Sequence, residues 1–227
     1  MKYREGTTDE KVIKEIFDNR AYRKPSINFD VEPGDRWLDL GAHIGCFANW
    51  AIEKGAESVI CYEPEPSNYE VLKTNINDPR IIACNAAVAW EGGTATLNVA
   101  PNTWRHSLTR RYKRGATDVQ VQVKSFNQLL ENHPKYDCIK MDIEGAEIEI
   151  LQKKKDWSGI RKLVFEYSFT QERDMDVFFG IVDNLKNSFD VVPYPKSYHN
   201  QKHEGIPGRW GGFIDDLVFA INYEEPI

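Results

Sequence analysis

The amino-acid sequence predicts an α/β protein built on a mostly parallel sheet with helices on both faces. From residue 36 onward, short apolar stretches typical of strands alternate with stretches whose apolar residues repeat at helical spacing. This alternation is typical of βαβ units, in which crossover helices cover both faces of the sheet. The 227 residues, 41% of them hydrophobic, suffice for one well-buried domain. We expect that domain over residues 31–227, preceded by a helical lid or flanking segment over residues 1–30.

Turn and capping residues bound the predicted elements. The predicted strands are 36–40, 58–62, 80–84, 86–90, 94–99, 119–123, 136–141, 162–167, 189–192 and 217–222. The predicted helices are 8–19, 47–54, 67–76, 126–131, 147–155 and 174–186. Gly55 is placed to end the second helix, and Ser67 is placed to cap the third. Gly92-Gly93 predicts a hairpin that joins strand 86–90 to strand 94–99.

Composition and charge argue against several classes of protein. A net charge of −6 does not suit a surface that follows a polyanion, because non-specific nucleic-acid binding depends on many Lys and Arg contacts with phosphate. The four cysteines show no metal-ligand spacing, so we expect buried free thiols. The chain has no signal-peptide core and no apolar run near the roughly 20 residues that span a membrane. A soluble, cytoplasmic protein is therefore expected.

Residues 37–63 predict a site for a nucleoside-bearing cofactor. They read as strand, glycine turn, helix and second strand, and open α/β sheets bind ligands at the carboxyl ends of strands where the strand order reverses. Within the turn, Gly41 and Gly45 remove side chains where the backbone bends and a ligand approaches. The middle glycine of the dinucleotide pattern GxGxxG is absent, and His43 stands there, so a pyrophosphate would fit poorly.

Polar residues at the strand ends favour S-adenosylmethionine over a dinucleotide. Asp39, just before the first glycine of the turn, would repel phosphates but suits ammonium and sulfonium charges. Glu63, at the end of the second strand, is placed to accept hydrogen bonds from both ribose hydroxyls, as NAD sites also require. Asn85 and Ala86 can offer an amide and backbone groups to adenine. Taken singly, Asp39 can also be a cap and Glu63 a solvated strand end.

Four segments resemble the motif series of FkbM-type methyltransferases: WLDLGAHIG, YEPEPSNYEVLKTNI, NAAV and KMDIEGAEIEIL. The resemblance covers about residues 35–170 and is strongest at KMDIEGAE. It implies a Rossmann-like class I methyltransferase fold, doubly wound and mostly parallel, with an antiparallel C-terminal strand. It also implies S-adenosylmethionine as methyl donor, S-adenosylhomocysteine as product, and O-methylation of sugars and sugar-containing metabolites.

The resemblance also assigns cofactor-binding residues. It places the methionine end of the cofactor at Asp39, Gly41, Ala42, His43 and Gly45. It places the ribose at Glu63, with Pro64 beside it, and the adenine at Asn85 and Ala86. Asp142, at the carboxyl end of a later strand, is implied to face both the methyl group and the acceptor. The family usually has Asn or a similar small polar residue where His43 stands, so His43 is the weaker candidate for catalysis.

Acids at neighbouring strand ends are the candidates for a general base. A sugar hydroxyl is a poor nucleophile until a carboxylate or imidazole takes its proton. The candidates are Asp142, Glu144, Glu166 and, in the long loop, His106. Glu144 and Glu147 can instead cap the following helix, and His106 can be an exposed loop residue. The three acids can also ligate a divalent cation, but nothing in their spacing demands one, and no required metal is expected.

Residues 105–114 form one strongly basic segment in this acidic chain. Guanidinium groups match phosphate oxygens, so the segment is either a solvated loop or a site for a phosphate-bearing acceptor. Aromatic and glycine residues in 194–199 and 208–212 suit a sugar-binding lid, although such residues also pack loops. The predicted acceptor-binding residues are Arg105, Ser107, Arg110, Tyr194 and Trp210. The expected partner is therefore a sugar or glycan acceptor.

Other functions stay open at this point. A nucleic-acid methyltransferase would need a basic track and usually an Asn/Asp-Pro-Pro-aromatic motif, where this chain has Asp142-Ile-Glu-Gly145. The acceptor can also be another small molecule. An NAD-dependent oxidoreductase would need the missing GxGxxG pattern. A non-catalytic binding module would share the strands but has no need of acids at their carboxyl ends.

Overall fold

The computed structural model describes residues 1–99, 106–108, 116–169, 175–193 and 214–222. The strands are β1 (Arg36–Leu40), β2 (Ser58–Tyr62), β3 (Ile81–Cys84), β4 (Ala87–Ala89), β5 (Gly93–Val99), β6 (His106–Ser107), β7 (Thr117–Ser125), β8 (Cys138–Met141), β9 (Lys162–Phe169), β10 (Asp190–Pro193) and β11 (Ile214–Ile221). The helices are α1 (Asp9–Ile13), α2 (Cys46–Glu53), α3 (Pro66–Asn75), α4 (Phe126–Asn132), α5 (Ala146–Lys153) and α6 (Met175–Leu185). Among them, none is long and apolar enough to cross a membrane.

Seven strands form the main sheet, in the order β10-β11-β9-β8-β1-β2-β3. Strands β9, β8, β1, β2 and β3 pair in parallel, whereas β11 runs antiparallel to both of its neighbours. The predicted mostly parallel sheet with an antiparallel C-terminal strand is confirmed. The chain moves from β1 outward to β3 and then returns to β8 on the other side of β1. The strand order thus reverses between β1 and β8, where open α/β sheets place their ligand.

A second sheet of four strands, in the order β4-β7-β5-β6, contradicts the predicted hairpin. Strand β7 lies between β4 and β5, pairing in parallel with β4 and antiparallel with β5. Gly92 shows why the chain does not fold straight back. A side chain there would meet the Ser125 backbone nitrogen at 3.1 Å and the Val123 carbonyl oxygen at 3.3 Å. Gly92 therefore lets the chain pass close to β7, and the segment does not close a two-strand turn.

Apolar residues fill both faces of the main sheet. Leu38 and Leu40 of β1 belong to a core cluster with residues of α4, α5 and α6. Trp37 belongs to a second cluster with residues of α2, including Phe47, whose ring centroid is 5.1 Å away. Because successive strand residues point to opposite faces, β1 is buried on both sides. All four cysteines are free thiols, and three of them are buried.

The N-terminal segment differs in detail from the single helix predicted over residues 8–19. Helix α1 continues as a π-helical turn over Lys14–Asp18, which packs against α2. π-Helical turns occur often at functional sites. The cap of α3 was also predicted wrongly, because Glu65 and not Ser67 precedes the first helical residue. The Glu65 carboxylate accepts hydrogen bonds from the backbone nitrogens of Ser67 and Asn68, at 3.0 and 2.7 Å.

Candidate functional site

A cavity lies at the carboxyl ends of β1, β2, β8 and β9, beside the point where the strand order reverses. Its wall includes Glu166 of β9, the turn residues Gly41, Ala42 and His43, and four residues that follow strands β2 and β8: Glu63, Pro64, Asp142 and Glu144. The N-terminal segment contributes Val12, Glu15, Ile16 and Tyr22, and the second sheet contributes Ala87, Val88, Leu97 and Leu108. Most residues that the sequence assigned to a cofactor thus meet in one place.

The glycine turn fits only because residue 41 has no side chain. Gly41 has φ +82°, and a Cβ on it would lie 1.8 Å from the backbone oxygen of Asp142. The backbone nitrogens of Gly41 and Ala42 both donate to the carbonyl of Tyr62, at 2.9 and 3.0 Å. Gly45 lies outside the cavity wall; its nitrogen donates to the Ala42 carbonyl at 2.8 Å where α2 begins. The turn is therefore packed directly against the two strand ends that carry Glu63 and Asp142.

Asp39 is not among the residues that line the cavity, and its predicted contact with a cationic ligand stays a prediction. It is fully buried, and its Oδ1 accepts a hydrogen bond from Lys140 Nζ at 2.9 Å. The two residues are opposite each other on the adjacent strands β1 and β8, so the strand register brings them to the same face. Lys140 also donates to the Gly41 carbonyl at 2.8 Å. Asp39 therefore stabilises the turn indirectly, because Lys140 contacts both Asp39 and the Gly41 carbonyl. The sequence alone did not predict this role for Lys140.

Charge balance explains why this pair tolerates burial. Burial raises the pKa of Asp39, and Lys140 opposes that rise. Burial would lower the pKa of Lys140, but the negative charges of Asp39 and Asp142 outweigh it and leave that pKa raised. Each partner thus favours the charged form of the other. A lysine two residues before the acid in KMDIEG, within a strand whose other residues are apolar, was the available signal.

Glu63 joins the turn to the loop that follows β2. Its Oε2 accepts a hydrogen bond from the His43 backbone nitrogen at 2.7 Å, and its Oε1 accepts one from the Glu65 nitrogen at 2.9 Å. Only 5% of the residue is exposed, and this burial raises the pKa of Glu63 to about 7, although the two N–H donors oppose the rise. Glu63 is therefore poised to titrate near neutrality.

His43 links the turn to the N-terminal segment. Its backbone is left-handed, with φ 51°, and its ring Nε2 lies 3.4 Å from Oδ1 of Asp9 in α1. Asp9 is fully buried and also pairs with Arg4 at 2.9 Å. Burial alone would raise the pKa of Asp9, but the contacts with His43 and Arg4 outweigh it and hold that pKa below its usual range. The His43 ring thus brings the turn into contact with α1.

The residues after β3 divide into two roles. Ala86 lies in the cavity wall, as predicted for a contact with adenine. Asn85 is exposed and lies outside the wall, and its Nδ2 donates to the carbonyls of Glu63 and Pro64, at 2.8 and 3.3 Å. Asn85 therefore holds the loop that carries Glu63, and the predicted contacts of Asn85 and Ala86 with adenine stay predictions.

Three acids meet in one part of the cavity wall. Asp142, Glu144 and Glu166 each place a carboxylate oxygen within 4.8 Å of the others, and all three are half-buried. A divalent cation could use such oxygens as ligands, and the expectation that none is required stays a prediction. Glu147 points elsewhere, because its carboxylate accepts a hydrogen bond from the Gly145 nitrogen at 2.8 Å, at the start of α5. Glu147 is thus the helix cap that the sequence also allowed.

The predicted acceptor-binding residues are only partly described. Ser107 is buried, and its hydroxyl donates to the Glu144 carbonyl at 2.5 Å. It therefore fixes the backbone of an acid-bearing loop. The His106 backbone pairs with Val99 in the second sheet. Arg105, Arg110, Tyr194 and Trp210 lie outside the described residues.

The fold and the cavity together define a class of protein, the doubly wound α/β proteins with a cavity at the switch point of the sheet. A solved structure from Listeria monocytogenes, named as an S-adenosylmethionine-dependent methyltransferase, has the same fold, with a TM-score of 0.50 and 12% identity. That alignment covers 94% of this chain and all of the other chain.

The sequence matches are more specific. Residues 39–190 match the model of the methyltransferase FkbM domain, and the chain belongs to that family of S-adenosylmethionine-dependent enzymes. It is 28% identical to methyltransferase sdnD of Sordaria araneosa, with 68% of this chain and 73% of that protein covered. It is 30% identical to the 31-O-demethyl-FK506 methyltransferase FkbM of Streptomyces tacrolimicus, with 40% and 35% covered. The family that four short sequence segments indicated is confirmed, and the chain is a methyltransferase.

Proposed function

We propose that this methyltransferase transfers a methyl group to a hydroxyl of a sugar or glycan-containing acceptor. One observation carries the proposal: the cavity that contains the glycine turn and Glu63 also contains the carboxylates of Asp142 and Glu166. A donor site and a general base are thus within one enclosure. O-methylation also agrees with the name of the 31-O-demethyl-FK506 methyltransferase, which states that relative's reaction.

The residues of the cavity fit the family's cofactor. When bound, S-adenosylmethionine supplies a methyl group on a positively charged sulfur. Five carboxylates line the described wall, whereas its one lysine, Lys140, is engaged by Asp39. Such a wall suits a cation and opposes a pyrophosphate. Glu63 and the backbone of the turn would hold the ribose and methionine parts, and Ala86 would contact the adenine.

Asp142 and Glu166 would act on the acceptor. A carboxylate within hydrogen-bond reach orients the acceptor hydroxyl and takes its proton as the new bond forms, which typically accelerates a reaction by about 100 to 10,000-fold. Holding the hydroxyl in line with the methyl group contributes further, because positioning alone can lower a barrier by about 7 to 11 kcal/mol. The apolar part of the wall, Leu97 and Leu108 among it, limits access of water to the same place.

The acids also bear on the acceptor itself. An ionised carboxylate only accepts hydrogen bonds and donates none. The acids therefore suit a methyl-accepting substrate that presents several hydroxyl groups as hydrogen-bond donors. A phosphate on the acceptor would have to be held by the basic segment 105–114, most of which lies outside the described residues. An uncharged polyol beside the acids is therefore the better-supported part of the proposal.

A transfer assay tests this function. We expect S-adenosylhomocysteine to form when the enzyme is given S-adenosylmethionine and methyl glycosides, with the label of a methyl-labelled donor recovered on an acceptor oxygen. Calorimetry should show binding of S-adenosylmethionine and S-adenosylhomocysteine but not of NAD. Label recovered on nitrogen or carbon, or transfer to RNA with every glycoside inert, would contradict the sugar hydroxyl as acceptor.

Glu63 predicts how cofactor affinity depends on pH. Its raised pKa of about 7 means that the free protein holds a proton below pH 7, whereas accepting two ribose hydroxyls requires the ionised form. We expect the Kd of S-adenosylhomocysteine to rise about tenfold from pH 8 to pH 6, since each pH unit below the pKa removes about tenfold of the competent form. Calorimetry at both pH values, with Glu63→Gln and the exposed-site control Glu149→Gln, checks this.

In the free protein the same raised pKa makes the stability of the fold depend on pH in the opposite direction to cofactor affinity. Because folding raises this pKa above its ordinary value of 4.5, the group's contribution to stability is full below 4.5 and is lost as the pH rises through about 7.

In the calorimetric experiment, Glu63→Gln should bind S-adenosylhomocysteine weakly, with no change of Kd between pH 6 and 8, and Glu149→Gln should keep the wild-type slope of Kd against pH. An equal slope in wild type and Glu63→Gln would assign the titration to another group.

A further inference from the structure

Part of the cavity wall comes from residues that precede the family match. The match begins at residue 39, whereas Val12, Glu15, Ile16 and Tyr22 reach the cavity from the N-terminal segment. Val12 and Ile16 are aliphatic, and Glu15 is exposed. Tyr22 differs from them because it is buried and carries a hydrogen-bonding group. Only 8% of Tyr22 is exposed.

The ring of Tyr22 is held in place on two sides. It packs edge-on against Phe47 of α2, with ring centroids 5.2 Å apart and planes at 79°. Lys140 Nζ lies 5.6 Å from the ring centroid, at a distance suited to a cation–π contact. Because Lys140 is itself fixed by Asp39 and the Gly41 carbonyl, the ring sits on a rigid base. The position of the hydroxyl is therefore set before any ligand binds.

That hydroxyl is a hydrogen-bond donor beside the acids of the site. Burial, together with the negative charges of Asp142 and Glu166, raises the pKa of the Tyr22 phenol, so it keeps its proton at neutral pH. None of the hydrogen bonds within the described part of the chain uses this hydroxyl. A buried tyrosine usually gives its O–H a partner, so a partner supplied by a ligand completes the arrangement.

The geometry points to Tyr22 as an acceptor-binding residue. We propose that its hydroxyl donates a hydrogen bond to an oxygen adjacent to the hydroxyl that is methylated, while Asp142 or Glu166 accepts from the reacting hydroxyl. A donor and an acceptor facing one cavity match two neighbouring oxygens, as in a vicinal diol. Donation to the reacting oxygen itself would lower its nucleophilicity, which is why the neighbouring oxygen is assigned. This inference rests on the proposed O-methyl transfer and narrows its substrate class.

Tyr22→Phe and Tyr69→Phe form a matched pair for the test. Both changes remove one phenolic oxygen, but the Tyr69 hydroxyl contacts the Ala83 carbonyl at 3.5 Å and lies outside the cavity wall. The probes are methyl glycosides, each beside analogues that lack one hydroxyl. We expect Tyr22→Phe to lower kcat/KM about tenfold, the usual effect of one neutral hydrogen bond, and Tyr69→Phe to leave it unchanged. Melting temperature and the Kd of S-adenosylhomocysteine should match wild type in both.

The deoxy analogues give the sharper readout. For wild type, removal of the hydroxyl next to the methylated position should also lower kcat/KM about tenfold, and with Tyr22→Phe that penalty should disappear, because the two changes remove the same interaction. A penalty that persists in Tyr22→Phe overturns the assignment. A lower melting temperature of Tyr22→Phe would also overturn it, because the hydroxyl would then have a structural role. Weaker binding of S-adenosylhomocysteine by Tyr22→Phe with unchanged acceptor kinetics would overturn it as well. If wild type methylates no glycoside, the proposed function itself fails.

Discussion

Replacing Asp142 with Asn is expected to lower methyl transfer by about 100 to 10,000-fold, the range that general-base catalysis typically contributes. The amide keeps the size of the side chain but cannot take a proton. Asp142 lies in the cavity wall between the glycine turn and the other two acids of the site. The measurement is single-turnover methyl transfer to the best glycoside, together with the Kd of S-adenosylhomocysteine, which should change less than about threefold because binding and proton removal are separate tasks.

Asp183→Asn makes the same chemical change at a control position. Asp183 lies on α6, is 71% exposed in its side chain and pairs only with Lys186 among the charged groups of the described chain. It should transfer methyl groups at the wild-type rate. If Asp142→Asn is equally active, the base is another group, and Glu166→Gln is the next variant to measure. If the cofactor affinity of Asp142→Asn falls as much as its rate, Asp142 belongs to the donor site instead.

Among the glycines of the described residues, Gly41 is where an added methyl group, as in Gly41→Ala, should have the largest effect. The added Cβ would lie 1.8 Å from the Asp142 backbone oxygen, so the glycine turn or the end of β8 must move. Because a displacement near 1 Å can lower activity by about 100-fold, we expect S-adenosylhomocysteine binding and turnover to fall at least that far. Urea unfolding should also show a loss of stability beyond the backbone strain alone, which is about 1 to 2 kcal/mol for a non-glycine residue with positive φ.

Gly159→Ala measures that strain by itself. Gly159 has φ +80°, almost the same as +82° at Gly41, but a Cβ there meets nothing within 4 Å. It should lose only the 1 to 2 kcal/mol or so that the left-handed backbone imposes, and it should bind S-adenosylhomocysteine as wild type does. Equal losses in the two variants would mean that the turn and β8 can separate freely.

The local parts of the site could be predicted from the sequence. Gly41, Glu63 and Asp142 each follow a strand whose apolar pattern is readable, and the switch point brings such strand ends together. What the sequence did not predict depends on contacts between distant residues. Asp39 faces Lys140 because of the register between β1 and β8, and no pattern within either strand determines that register.

Contacts between distant residues also explain why the sequence did not predict the second sheet or the place of Tyr22 in the cavity wall. Strand β7 enters between β4 and β5 although it follows both in the chain, whereas turn chemistry reports only on neighbours. Tyr22 lies in a segment without clear periodicity, and its position against Phe47 follows from the packing of the N-terminal segment on α2. The family resemblance could not assign it either, since the match begins at residue 39.

The acidic wall of the cavity has a consequence for what happens after the reaction. The donor carries a sulfonium charge that its product lacks, so methyl transfer removes one positive charge from the ligand. Carboxylates at Asp142, Glu144 and Glu166 face that change from within one cavity. These carboxylates attract the sulfonium of the donor, and the attraction is strong where water is limited. The product, S-adenosylhomocysteine, has a neutral sulfur and loses that attraction. We therefore expect the wall to favour exchange of product for fresh donor and to limit inhibition by accumulated S-adenosylhomocysteine.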